Sequence, residues 1–207
     1  GLAIGDFNED GFPDLFLANL GENRLLRNNG DGSFTDCTEL INHTDTQSWS
    51  TSAIFTDLDQ NGVADLVVTN YCQTVNGLDT GCPNEEGVMG PCHPLTFPAD
   101  ADHFFEGLGD GSFRNGTTQW VPNPSTGRGL GIVAGKLDGT QLGVFIANDM
   151  SRNAFYTPTP TENGLKLQED ASVRGVAVDG RTQAQASMGI ASSDFDLDGD
   201  LDLYVTG

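Results

Sequence analysis

Three stretches of the chain carry oxygen-bearing side chains at identical intervals. Asp6, Asn8, Asp10 and Asp14 fill positions 1, 3, 5 and 9 of the first, with Gly11 at position 6. Asp57, Asp59, Asn61 and Asp65 repeat the spacing around Gly62, and Asp194, Asp196, Asp198 and Asp202 repeat it around Gly199. Alternate residues of a tight loop can point inward together, and glycine admits the positive φ that so sharp a turn needs. Carboxylates brought together repel unless a cation sits among them. A hard ion taking about six to eight oxygens at roughly 2.3–2.6 Å suits this donor set, so Ca2+ is the expected cofactor, about one per loop. The backbone carbonyl at position 7 (Phe12, Val63 and Asp200) completes the expected ligand set. An EF-hand would need a bidentate glutamate at position 12 and flanking helices. Here position 12 is Leu17, Val68 and Val205, all apolar, which excludes it.

The elements that must hold these loops are short strands. A small, apolar run precedes each loop (Gly1–Ile4, Ser52–Phe55, Gly189–Ser192), and an apolar run follows it (Leu15–Asn19, Leu66–Asn70, Leu203–Thr206). Runs of this length bounded by turn residues read as strands. In the first copy Asn23–Asn28 supplies a third strand, the Asn29-Gly-Asp-Gly32 stretch a tight turn, and Ser33–Asp36 a fourth strand. Phe104–Gly107, Gly109–Gly111 and Ser112–Asn115 repeat that ending. A worn copy follows: Leu130–Ala134, Val144–Asn148 and Arg152–Tyr156 read as strands, and Thr157–Gly164 as a longer hairpin leading to Leu165–Gln168. Its loop, Gly135–Thr140, keeps only Asp138 and gains Lys136, so no metal is expected there.

Four antiparallel strands in a unit of about fifty residues are the sequence form of a β-propeller blade. The expected fold class is all-β, a β-propeller segment with Ca2+ loops between the first and second strands of its blades. The blades are read at about 1–40, about 50–118 with an insertion over 71–102, and about 128–172, with a half blade over about 186–207. The chain does not open like a natural N-terminus, and it is expected to be part of a larger protein.

Those residues resemble the FG-GAP/VCBS-type repeat, whose best-known members are the integrin α-subunit propellers. The resemblance is carried by the loop Asp194–Leu203, by Leu17-Ala-Asn19, by Asn23–Asn28 and by Gly30–Phe34. It is nearer still to the cartilage-acidic-protein-like branch. The resemblance implies a calcium-stabilised extracellular propeller used in adhesion or protein interaction, and does not imply an enzyme.

A formal net charge of −21, from 30 acidic against 9 basic residues, argues against nucleic acid, because little is present to neutralise phosphates. No apolar run is long enough to span a bilayer. Cys37, Cys72, Cys82 and Cys92 fit no redox pair or zinc ribbon. Sequons begin at Asn42 and Asn115, and together with paired cysteines they point to a secreted or cell-surface protein.

The stretch 71–102 adds 28 residues to the second unit and holds three of the four cysteines. It should project from the face opposite the calcium hairpins, and loops this long are usually functional. Cys82 and Cys92 are expected to close it, leaving Cys37 and Cys72 for each other, although four cysteines allow three pairings. A zinc site from Cys82, Cys92, His93 and His103 is the lesser alternative. No residue is assigned a catalytic role: nucleophile-elbow, zincin and P-loop motifs are absent, and His43, His93 and His103 have no repeated partner. Trp49 and Trp120 are read as packing residues. The expected function is a binding, adhesion or structural module for an unidentified protein or glycan. The alternatives are the propeller of a carbohydrate-active enzyme such as a polysaccharide lyase, and a subunit of a larger extracellular or lumenal assembly.

Overall fold

The computed structural model describes residues 1–42, 47–73, 81–137, 139–162 and 164–207. Alternation of side chains along short strands decides the architecture. Strands β1 (Leu2–Gly5), β2 (Asp14–Leu17), β3 (Arg24–Asn28) and β4 (Phe34–Asp36) form an antiparallel meander. Register pairs Ala3 with Phe16 and Phe16 with Leu25, so these three share the buried face. A 3-10 turn at Thr38–Ile41 leads out of this sheet.

The second sheet begins with β5 (Ser48–Thr56) and β6 (Asp65–Gln73). Then comes a small hairpin of β7 (Cys82–Pro83) and β8 (Met89–Gly90), followed by β9 (Asp100–Ala101). Strands β10 (His103–Gly107) and β11 (Phe113–Asn115) complete the sheet in the order β11-β10-β6-β5. Every residue of β6 but the last is buried, so both of its faces are covered. Leu66 and Val68 pack with Phe16 and Leu25 of the first sheet, whereas Val67 packs the other way, against the third. Burying side chains of this size contributes about 1.5–3 kcal/mol each, which is why unbroken apolar runs replace alternation here.

A single helical turn, α1 (Thr117–Trp120), and β12 (Thr126–Gly127), which pairs with β9, precede the third sheet. That sheet is β13 (Gly129–Gly135), β14 (Gly143–Asn148), β15 (Ala154–Thr161) and β16 (Gly164–Glu169). Val144 and Ile146 face the second sheet, and Phe145 and Ala147 face away from it. Their far-side neighbours are Ile190, Leu203 and Val205 of the two-stranded pair β17 (Ile190–Ser193) and β18 (Asp202–Val205). The fold is therefore all-β, with successive antiparallel sheets packed face to face and a separate apolar core in each gap. Trp120 is sealed in the core between the second and third sheets, while Trp49 stays partly exposed with its ring against the edge of Tyr71.

The hairpin read at 157–164 forms, with β15 and β16 paired out to Thr161 and Gly164, through Pro158 opposite Leu167 and Pro160 opposite Leu165. Phe155 bonds towards β16, so by alternation both prolines present their missing N–H to the other side, where β14 has already ended. Proline on an unpaired strand edge loses no ladder bond. One expectation is corrected: the bond between Cys37 and Cys72 does not form, and both are free, buried thiols. Cys37 closes the first sheet, its N–H bonded to Leu25 O, whereas Cys72 sits in β6 of the second. The bond between Cys82 and Cys92 is present, which removes both sulfur ligands from the zinc alternative.

Candidate metal centres

Each acidic loop joins the first two strands of a sheet, and the three loops share one hydrogen-bond scheme. The position 1 carboxylate accepts the N–H of the position 6 glycine: Gly11 to Asp6 at 2.8 Å, Gly62 to Asp57 at 2.9 Å and Gly199 to Asp194 at 3.1 Å. Its other oxygen accepts the position 5 N–H, from Asp10, Asn61 and Asp198. The position 5 side chain in turn takes the N–H of position 7, from Phe12 at 2.9 Å, Val63 at 2.7 Å and Asp200 at 3.0 Å. Donated N–H groups turn the side-chain oxygens of positions 1, 3 and 5 towards one another. Gly11, Gly62 and Gly199 take φ of 89°, 92° and 100°, which explains the glycine at position 6.

Position 9 does two jobs. One oxygen of Asp14 accepts Phe7 N–H at 3.1 Å, and the other accepts Asn28 N–H, at the end of the third strand, at 2.7 Å. Asp65 likewise accepts Leu58 N–H at 2.8 Å and Gly107 N–H at 2.9 Å. Asp202 accepts Phe195 N–H at 2.8 Å. Asp14 and Asp65 are wholly buried, so these carboxylates tie the loop, the second strand and the third strand together.

The arrangement can hold a metal ion. One carboxylate oxygen each from Asp57, Asp59 and Asp65 lie within 4.8 Å of one another, as do those of Asp194, Asp196 and Asp202. The first loop has Asn8, a neutral oxygen donor, at position 3. Burial, then the charges of Asp59 and Asp57, push the Asp65 carboxyl up to about 7 against the opposing pull of its two backbone N–H bonds. Burial also raises Asp14 and Asp59. A divalent cation at the centre would reverse this field and favour the ionised forms.

In the third sheet the pairing of Gly135 with Gly143 matches that of Gly5 with Asp14, so Gly143 stands where position 9 would be. A Cβ at Gly143 would come within 2.5 Å of the Phe155 ring, which fills the space that Asp14 and Asp65 occupy in their sheets. Lys136 holds the place of position 1. Asp138, like His43 and Thr44 of the first sequon, lies outside the described residues. Asn115 of the second sequon is exposed, and its side chain accepts Thr117 N–H at 3.0 Å.

Two features of the loops escape sequence reading. Position 4 is left-handed in all three although it is never glycine: Glu9, Gln60 and Leu197 have φ of 59°, 60° and 63°. The second bond of position 9 depends on a strand that follows 14 residues later in one copy and 42 in the other.

At the opposite end of the second sheet, the insertion leaves β6 at Gln73 and returns through β9. The turn of its small hairpin is held by Asn84, whose Oδ1 accepts the N–H of Glu86 and Val88. Arg128 fastens the returning limb by donating to Phe97 O at 2.8 Å, and it also reaches Ser151 Oγ. The Tyr71 hydroxyl donates to Asp149 at 2.7 Å; burial first, and then this bond, push its phenol well above the usual range. Burial likewise raises the Cys72 thiol, leaving it an unreactive packing group.

The family model for the FG-GAP-like repeat matches residues 6–68, from the first acidic loop through the second and into β6. No curated protein matches the chain. Among solved structures, the crystal structure of rhamnogalacturonan lyase YesW is similar over 99% of this chain, at 15% identity and a TM-score of 0.47. The chain spans 39% of the length of that lyase chain. The matched family span supports an FG-GAP-type repeat across the first sheet and the start of the second. Among the described residues no helix is long and apolar enough to cross a membrane.

Proposed function

We propose that the chain forms calcium-stabilised β-propeller blades that act as an extracellular binding, adhesion or structural module. The observation that carries the reading is the recurrence of one loop hydrogen-bond scheme between the first two strands of the first, second and fourth units. In each, Ca2+ would be held by positions 1, 3, 5 and 9 and by the position 7 carbonyl of Phe12, Val63 or Asp200. The ion neutralises carboxylates that otherwise repel. Because position 9 also carries backbone N–H groups of neighbouring strands, binding energy becomes folding energy. The disulfide between Cys82 and Cys92 and the two sequons support an oxidising, secretory setting. The insertion is the surface offered to a protein or glycan partner, and the module itself is read as non-enzymatic.

Calorimetry and thermal melts test this reading. About three Ca2+ should bind per chain, Tm should rise with added Ca2+, and a chelator should lower it. Asp57→Ala with Asp59→Ala should remove one site and leave the others. No calcium heat and an unchanged Tm would overturn the calcium reading. Release of unsaturated uronates from pectic polysaccharides would overturn the non-enzymatic one.

A further inference from the structure

The turn between the second and third strands is built the same way in all three full sheets. An asparagine within three residues of the end of the second strand gives its side-chain N–H to a carbonyl across the turn: Asn19 to Glu22 O, Asn70 to Ala101 O and Asn148 to Arg152 O, at 3.1, 2.7 and 2.8 Å. Its backbone N–H goes to the side chain of the next residue, Asn23, Asp102 or Asn153, at 2.9, 3.0 and 2.9 Å. In the first and third sheets that residue is an amide with a second task. Asn23 Nδ2 donates to Ser50 Oγ of the following sheet at 3.0 Å, and Asn153 Nδ2 donates to Val176 O of the following segment at 3.3 Å.

In the second sheet the residue is an acid. Asp102 is 3% exposed and presses on the third sheet, with Oδ1 at 3.3 Å from the position of a Cβ on Gly129. In that dry seam a carboxyl is far less costly neutral than ionised. Asp102 also ends the limb by which the insertion returns. Two residues earlier, Asp100 is buried as well, accepting from Ser48 Oγ and from Gln73 Nε2 at 3.2 Å, and it sits opposite Gly127 in the β9–β12 pair.

We propose that Asp102 is a proton-operated latch at the base of the disulfide-closed insertion. Neutral, it lets the returning limb pack closely against the third sheet; ionised, its buried charge loosens that limb. The titratable groups around it are Asp100 on its own limb, His103 next in the chain and Tyr156 of β15, on whose phenol the Asp102 charge acts. The buried Arg128 is engaged with Phe97 and Ser151, and its charge acts on Tyr71 and Cys72. Burial and the Asp100 charge raise the Asp102 carboxyl from the ordinary 3.8 to about 7, against the pull of the Asn70 N–H. A folded-state value above the unfolded one means that the stabilisation is complete below about 4 and is lost as pH rises to about 7.

Hydrogen exchange of the 98–103 and 126–129 segments, corrected for intrinsic rate and followed from pH 4.5 to 7.5 in excess Ca2+, tests the latch. In the wild type the opening constant should climb by up to about tenfold per pH unit and level off near neutrality. Asp102→Asn, which restores the amide of the other two sheets, should remove that climb. Asp100→Asn should leave it in place but end it at lower pH. Parallel profiles for wild type and Asp102→Asn would overturn the proposal, because His103 is retained in both. So would an Asp100→Asn profile superimposed on that of the wild type.

Discussion

At the residue scale, the position 9 aspartates are where loop and fold meet. Asp65 is buried and accepts two buried N–H groups, those of Leu58 and Gly107. Asp65→Ala should therefore destabilise the protein even in a chelator, by about 1–3 kcal/mol for each donor left without an acceptor. Urea unfolding in EDTA measures this, and an unchanged midpoint would mean that the loop is held by its other bonds. The spacing of Asp57, Asp59, Asn61 and Asp65 was legible because the loop is local and its donors lie within nine residues. The bond from Gly107 was not, because the 28-residue insertion separates the partners in sequence while the sheet brings them together.

At the element scale, the worn loop of the third sheet differs from the others through its neighbour as much as through its own sequence. Gly143→Asp would replace the missing position 9 residue on paper, yet its Cβ would fall within 2.5 Å of the Phe155 ring. Phe155 is buried and stacked under the Arg174 guanidinium, whose carbon lies 4.4 Å from the ring centroid, so it has little freedom to withdraw. The variant should lose about 1–3 kcal/mol to overpacking and gain no calcium site. A Tm at or above that of the wild type would contradict this packing account. Pro158 and Pro160 teach the same lesson in reverse. Proline reads as a strand breaker, but its effect depends on which side of the strand is paired, and only the end of β14 decides that.

At the scale of the whole molecule, the dominant sequence property is charge, −21 at neutral pH. Much of it is gathered at the acidic loops, where chelation leaves repulsion unopposed. Raising ionic strength with NaCl should therefore increase the Tm of the chelated protein more than that of the Ca2+-loaded protein, because screening substitutes in part for the ions. Equal salt responses would show that the repulsion is relieved elsewhere. The large-scale layout also places the acidic loops and the insertion at opposite ends of the second sheet, since β6 begins at Asp65 and ends at Gln73. Ions at one end and a proton at the other can thus act on the same strand.

What the sequence determined by itself is whatever depends on neighbours in the chain: the short strands, the glycine of each loop, the convergence of alternate acids, and the bond between Cys82 and Cys92 ten residues apart. Those follow from the two-residue period of a strand and from the steric freedom of glycine, which need no partner to be read. The tertiary structure decided what depends on contacts between sheets. It left Cys37 and Cys72 buried in different sheets as free thiols, filled the place of a fourth position 9 residue with Phe155, and set Asp102 where two other sheets carry an amide. Burial supplies the reason: a thiol, a ring or a carboxyl takes its role from what surrounds it, and those surroundings come from strands distant in sequence.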